Sequence, residues 1–281
     1  MAGPSKAVLI TGCSTGIGYT TAEYLAEQGW KVYATARRPE TIDALKEMGC
    51  ETLALDVIDE ESMQAAVDAV TAAEGAVGVL INNAGYSQSG AVESVPMESV
   101  RRQFETNVFG LIRMSQLVLP GMREQGWGKI VNLGSMGGKM TFPGGGLYHA
   151  TKYAVEALSD AMRFEVKGFG VDVILIEPGF ITTNFDQTAA GAATETAGGA
   201  YEKFNRAVAK ATEGAYHGPL AKLGAGPEAV AKTIAGAIGS SRPKARYPVT
   251  LSAHLLINQR RFTPDPLWDL FMKVQFPQPK P

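Results

Sequence analysis

Seven short runs rich in β-branched and other apolar residues punctuate the chain, at positions 7–10, 31–35, 52–55, 77–81, 129–133, 171–176 and 247–251. Runs of this length and composition predict strands. Between them, apolar residues return at helical spacing. Ile17, Thr21, Tyr24 and Leu25 share one side of a segment that stops at Gly29, a residue type that commonly ends helices. The same pattern predicts helices over 17–28, 41–48, 60–73, 97–125, 147–167 and 228–238. Parallel neighbours in a sheet need long crossovers, usually helical. The alternation therefore predicts a doubly wound α/β fold, a parallel sheet of seven strands in one domain over 1–281.

Two segments leave the alternation. Residues 184–219 follow Glu177, Pro178 and Gly179 and contain the low-complexity stretch TAAGAATETAGGA at 188–200, the composition of a substrate lid. Residues 252–281 end in PQPKP and predict a docked helix with a frayed end.

Composition narrows the partners. With 281 residues, of which 45% are hydrophobic and 19% charged, the chain has ample apolar content for a core. A formal charge of −2 and no Lys/Arg-rich run leave no footprint for nucleic acid or an anionic membrane surface, so small molecules are favoured. The start MAGPSKAVLI lacks the features of a secretory signal, and no stretch reaches about 18 uninterrupted apolar residues, which predicts a cytoplasmic protein without membrane insertion. Cys13 and Cys50 have no metal-ligand spacing, and His149, His217 and His254 are scattered, so neither a disulfide framework nor a metal site is expected.

The first predicted strand runs into Gly12, Cys13, Ser14, Thr15, Gly16, Ile17 and Gly18, then a helix. A bare glycine triplet can serve helix-to-sheet packing alone. Directly after the first strand of an α/β chain it predicts a Rossmann-type pyrophosphate loop, with backbone amides and a helix N-terminus facing the phosphates. The second strand ends in Ala36, Arg37 and Arg38 without an acid to hold a free ribose 2′-hydroxyl. Two guanidinium groups there suit a 2′-phosphate, which favours NADP over NAD.

Further along come Asn82, Asn83, Ala84 and Gly85, then Asn107, Ser135, Tyr148 and Lys152, and finally Pro178 and Gly179. Each alone is commonplace: NNAG as a turn, Ser135 in GSMGG as another, Asn107 in ETNVFG as a helix irregularity. In this order over residues 6 to about 250, the chain resembles the short-chain dehydrogenase/reductase family. VYATARRP, LDV and the extended tail resemble the branch containing 17β-hydroxysteroid and retinol dehydrogenases.

That resemblance implies roles. Tyr148 would donate a proton to a carbonyl oxygen or remove one from an alcohol, Ser135 would hydrogen-bond the same oxygen, and Lys152 would favour the phenolate and hold the nicotinamide ribose. Asn107 would anchor a water connecting the lysine to solvent. Asp56 and Val57 would lie by the adenine, and Asn83, Ala84 and Gly85 by the adenosine ribose. Pro178, Gly179, Ile181 and Thr182 would close over the nicotinamide. His149, about a hundred degrees around the helix from Tyr148, is expected to be structural or at the substrate rim.

Met136, Met140, Phe142, Phe185 and Phe204 suggest an apolar substrate pocket, and no arginine precedes Arg206 in the lid to grip a carboxylate. The expected substrate is a hydrophobic ketone, aldehyde or alcohol. By resemblance, the subunits would pair through the helices at 97–125 and 147–167 as a homodimer or homotetramer. The alternatives are a ketoacyl-thioester reductase with the same active site, a non-catalytic NADP sensor, and an epimerase or dehydratase, for which the tail after Leu251 is short.

Overall fold

The computed structural model describes residues 3–183, 199–217 and 222–279, apart from the side chains of 213 and 215–217. Strands β1 (Val8–Ile10), β2 (Val32–Ala36), β3 (Glu51–Ala54), β4 (Val79–Asn82), β5 (Gly128–Leu133), β6 (Val171–Pro178) and β7 (Arg246–Val249) form one parallel sheet in the order β3-β2-β1-β4-β5-β6-β7. This is a Rossmann fold. The order reverses at β1, whose neighbours are β2 on one side and β4 on the other.

Alternate residues along each central strand feed opposite faces, and both sets are apolar because both faces are covered by helices. Val8, Ile10, Ile81, Val131 and Ile174 face one layer. There they meet Ala22 and Leu25 of α1 (Gly16–Glu27) and Val230, Ile234 and Ile238 of α8 (Pro227–Gly239). Leu9, Leu80, Ile130 and Val173 face the other layer. Its helices include α3 (Glu60–Glu74), which brings Met63, Val67 and Val70, and α5 (Gly110–Glu124), which brings Met114, Val118 and Met122. Each such fully buried aliphatic side chain contributes roughly 1.5–3 kcal/mol.

Several boundaries differ from the periodicity. The expected helix at 41–48 is a 3₁₀ turn, Pro39–Ile42, followed by the short α2 (Ala44–Glu47). The long helix at 97–125 is α4 (Met97–Phe104), a π-helical turn at Glu105–Phe109, then α5. The π turn carries Asn107. Residue Leu251, expected in the last strand, instead begins α9 (Leu251–Phe262), and the tail continues as α10 (Asp265–Gln275). Pro264 precedes α10 as its N-cap and interrupts the helical run, and Pro266 sits in the first turn of α10, where a missing amide hydrogen costs no helical bond. Of the expected lid, 199–217 are described and contain α7 (Glu202–His217), whereas 184–198 and 218–219 lie outside the described residues.

Behind the C-terminal ends of β5 and β6 sits a buried ionic cluster. Glu156 of α6 (Gly146–Glu165) is 2.5 Å from Lys139 and 3.3 Å from Arg246, which also bridges to Asp160. Glu177 of β6 is 3.8 Å from Arg246 and only 2% exposed. Burial, then the Glu156 carboxylate, raises the Glu177 carboxyl well above the usual carboxylate range. A carboxyl held protonated in the fold but not in the unfolded chain supplies stability at low pH that is lost as pH rises toward neutrality. We expect the Glu177→Gln variant to show a flatter fall in melting temperature from acidic to neutral pH than the wild type. Parallel slopes would contradict this reading of the cluster.

Candidate active site

The first turn is shaped by close backbone contacts. Gly12 and Gly16 have φ of +74° and +61°, a region that favours glycine. A Cβ on Gly12 would lie 2.9 Å from Ala84 Cα, and one on Gly18 would collide with the Gly12 carbonyl and Asn83 Nδ2. Thr15, the N-cap of α1, makes no side-chain capping bond, and the first turn has no acid. Its amides are thus available to an anion at the positive end of the helix. This cradle fits the pyrophosphate of a dinucleotide.

The β1 and β4 ends are tied together. Thr11 Oγ1 accepts hydrogen bonds from the backbone amides of Asn83 and Ala84, each at 3.0 Å. Asn83 Nδ2 donates to the carbonyls of Thr11 and Gly12, each at 2.9 Å. A second polar tie, Asn82 Nδ2 to Asn132 Oδ1 at 3.0 Å and Asn132 Nδ2 to Ser159 Oγ at 2.9 Å, carries the connection across β5 to α6.

These ends open into a cavity of about 1050 Å³. At one end it is walled by Ser14, Thr15, Ile17, Arg37, Asp56 and Val57, with Asn83, Ala84 and Gly85 alongside. At the other, Ser135, Tyr148 and Lys152 converge beneath Pro178, Gly179 and Ile181. Ser135 leaves β5, and Tyr148 and Lys152 occupy adjacent turns of α6. The Lys152 ammonium sits 5.7 Å from the Tyr148 ring centre and donates to the Leu133 carbonyl at 2.7 Å.

Burial sets the acidity of this pair. It pushes the Tyr148 phenol up to about 12, opposed by a hydrogen bond with Ser135, and pulls the Lys152 ammonium down to about 8. Lys152 keeps its charge at neutral pH and loses it as pH rises through about 8.

Residues 6–193 match the family model described as short chain dehydrogenase. The chain belongs to the short-chain dehydrogenase/reductase family. It is 35% identical over 273 residues to the uncharacterized oxidoreductase YbbO of Escherichia coli, covering 95% of this chain and 94% of that one. To human 17-beta-hydroxysteroid dehydrogenase type 1 it is 36% identical over 259 residues, covering 86% and 77%. The crystal structure of a short-chain dehydrogenase from Streptomyces avermitilis superposes with a TM-score of 0.78 at 30% identity, covering 96% and 97%. Structures resembling this one include NADP- and NAD-bound members. The protein is an oxidoreductase of this family.

Other sequence-predicted positions of this dehydrogenase/reductase fall differently. Arg37 lines the cavity, whereas Arg38 is exposed and caps the 3₁₀ turn through its carbonyl, which accepts from Thr41. Gly18 is a packing position. Asn107 is buried off the cavity wall: its amide bonds the Tyr86 carbonyl at 2.9 Å and Thr151 Oγ1 at 3.1 Å, and its Oδ1 accepts from Tyr86 N. Thr182 is exposed, and the neighbouring Thr183 lines the cavity, with its Cβ beside Gly16.

At the substrate end, Met136 and Phe142 line the cavity. Met140 and Phe204 belong to an apolar cluster with Trp268, Met272 and Phe276, and Phe185 lies outside the described residues. Phe180, Val208 from the expected lid, and Leu256, Phe271, Gln275 and Phe276 from the tail also line the cavity. The role of Thr11 as acceptor for two amides shows only in three dimensions. Replacing this buried hydroxyl in Thr11→Val leaves those amides without their acceptor, at a cost of about 1–3 kcal/mol. We expect weaker dinucleotide binding and lower stability by titration and denaturation. Wild-type behaviour in both would contradict the tie.

Proposed function

We propose that the protein is an NADP(H)-dependent reductase of hydrophobic ketones or aldehydes, or the corresponding alcohol dehydrogenase, with Tyr148 as acid and base. The observation that carries this is the convergence of Ser135, Tyr148 and Lys152 on one wall of a cavity whose far end presents Arg37 beside the glycine cradle. When bound, the cofactor supplies the transferable hydride. The remaining work falls to the chain. Tyr148 gives its proton to the substrate oxygen, Ser135 hydrogen-bonds the same oxygen as negative charge develops there, and the nearby Lys152 ammonium favours the tyrosinate left behind.

Several features support the finer assignments. Arg37 at the β2 end, without a competing acid, suits a 2′-phosphate. Met136, Phe142, Phe180, Val208, Leu256, Phe271 and Phe276 make the substrate end apolar. A relative named for a hydroxysteroid points the same way. Asn205 ties α7 to the loop ahead of α4, accepting from Ala91 N at 2.9 Å and donating to Ser94 Oγ at 3.3 Å, consistent with a lid across that end. Exposed Phe109, Tyr153 and Phe164 lie on the helices proposed to pair subunits.

Tyr148→Phe should retain NADPH binding while carbonyl reduction, followed at the NADPH absorbance, is abolished; substantial turnover would sink the assigned role. Arg37→Asp should move the preference from NADPH toward NADH. An unchanged ratio of kcat/KM for the two cofactors would contradict the 2′-phosphate assignment.

A further inference from the structure

His149 adjoins the proposed acid yet takes no part in the chemistry described above. Its ring is 7% exposed and lies between Phe142 and Tyr148, with ring centres 5.8 and 5.6 Å away. Nδ1 is 3.0 Å from the Gly137 carbonyl oxygen. A carbonyl can only accept, so this contact places the proton on Nδ1 and leaves Nε2 as a lone pair. Burial keeps the imidazole neutral, pulling it down to about 4.

The chain accommodates this ring at two glycines. A Cβ on Gly137 would be 2.5 Å from Nδ1, and one on Gly145 would be 2.7 Å from Nε2. These glycines begin and end the segment that leaves β5 and returns to α6. The segment contributes Gly137, Phe142, Pro143 and Gly145 to the cavity wall. At its start, Gly137 N donates to Ser135 Oγ at 3.0 Å. That bond occupies the serine oxygen as an acceptor and leaves its hydroxyl proton for another partner.

We propose that His149 is a positioning residue: its Nδ1–H holds the Gly137 carbonyl, fixing the turn whose amide aims the Ser135 hydroxyl at the substrate oxygen beside Tyr148. The inference rests on the roles given above to Ser135 and Tyr148. Its consequence is specific, because a small misplacement of a catalytic group can cost up to about a hundredfold in rate. The tilted Phe142 ring and the edge-on Tyr148 ring confine the imidazole, and the two glycines let the segment wrap it.

Two side chains separate the hydrogen bond from the packing. Asparagine places an amide donor near the Nδ1 position, whereas glutamine reaches toward Nε2. With any carbonyl substrate turned over by the wild type, His149→Phe should lower kcat by about tenfold to a hundredfold. KM should change little and NADPH binding should be kept. His149→Asn should recover most of that loss and His149→Gln should not. In a Ser135→Ala background, His149→Phe should cost little more, because the two act as a unit. Nitrogen NMR of the wild type should show the Nδ1–H tautomer, unchanged between about pH 5.5 and 8.

Wild-type kcat in His149→Phe, equal behaviour of the Asn and Gln variants, full additivity with Ser135→Ala, or an Nε2–H tautomer would each overturn the proposal. If His149→Phe does not fold, the Asn and Gln pair and the tautomer decide it. Full turnover by both Ser135→Ala and Tyr148→Phe would instead overturn the catalytic reading. The tautomer measurement would stand apart from that result.

Discussion

The pairing of β1 with β4 is the constraint on which the rest of the molecule depends. Once these parallel strands are neighbours, β2 and β3 lie to one side and β5, β6 and β7 to the other, so connections from the two ends diverge and leave a crevice. Thr11 and Asn83 hold the two strand ends by four hydrogen bonds, bringing the glycine turn against Ala84. The cofactor cradle and the reacting end are then fixed with respect to each other by the sheet, because β4 and β5 run in register to Asn82 and Asn132.

The same burial that makes the site rigid also sets its chemistry. A phenol and an ammonium adjacent on α6 would ordinarily be expected to stabilise one another as an ion pair. Here desolvation opposes both charges: Tyr148 stays protonated, and the Lys152 ammonium is satisfied by the Leu133 carbonyl. Glu177, immediately before Pro178 and Gly179, shows the same dominance of desolvation.

Central strands were legible in the sequence because both their faces are apolar, so Leu9 and Ile10 both read as core and both are buried. Helices with ordinary periodicity were legible too. At Asn107 the sequence offered no more than a helix irregularity in ETNVFG, and the π turn with its contacts to Tyr86 and Thr151 shows only in three dimensions. Loop positions carry no periodicity, so nothing in the sequence distinguishes Thr182, which is exposed, from Thr183, which lines the cavity. Helix geometry sets His149 about a hundred degrees from Tyr148, yet the two rings lie 5.6 Å apart and both line the cavity, and nothing local announced that residues 137–145 fold back around the imidazole. The glycines on either side were the available signal. The tail was expected as one docked helix and forms two, and its placement against Met136 and Met140 is tertiary.

Isotope transfer tests the central claim most directly. The protein would be supplied with NADPH deuterated on one or the other face of C4, and with a panel of steroid, retinoid and short-chain carbonyl compounds. Deuterium should appear at the carbinol carbon from only one of the two labelled cofactors, with the transfer lost in Tyr148→Phe. Tight NADPH binding with no label reaching any carbonyl in the panel would contradict the account.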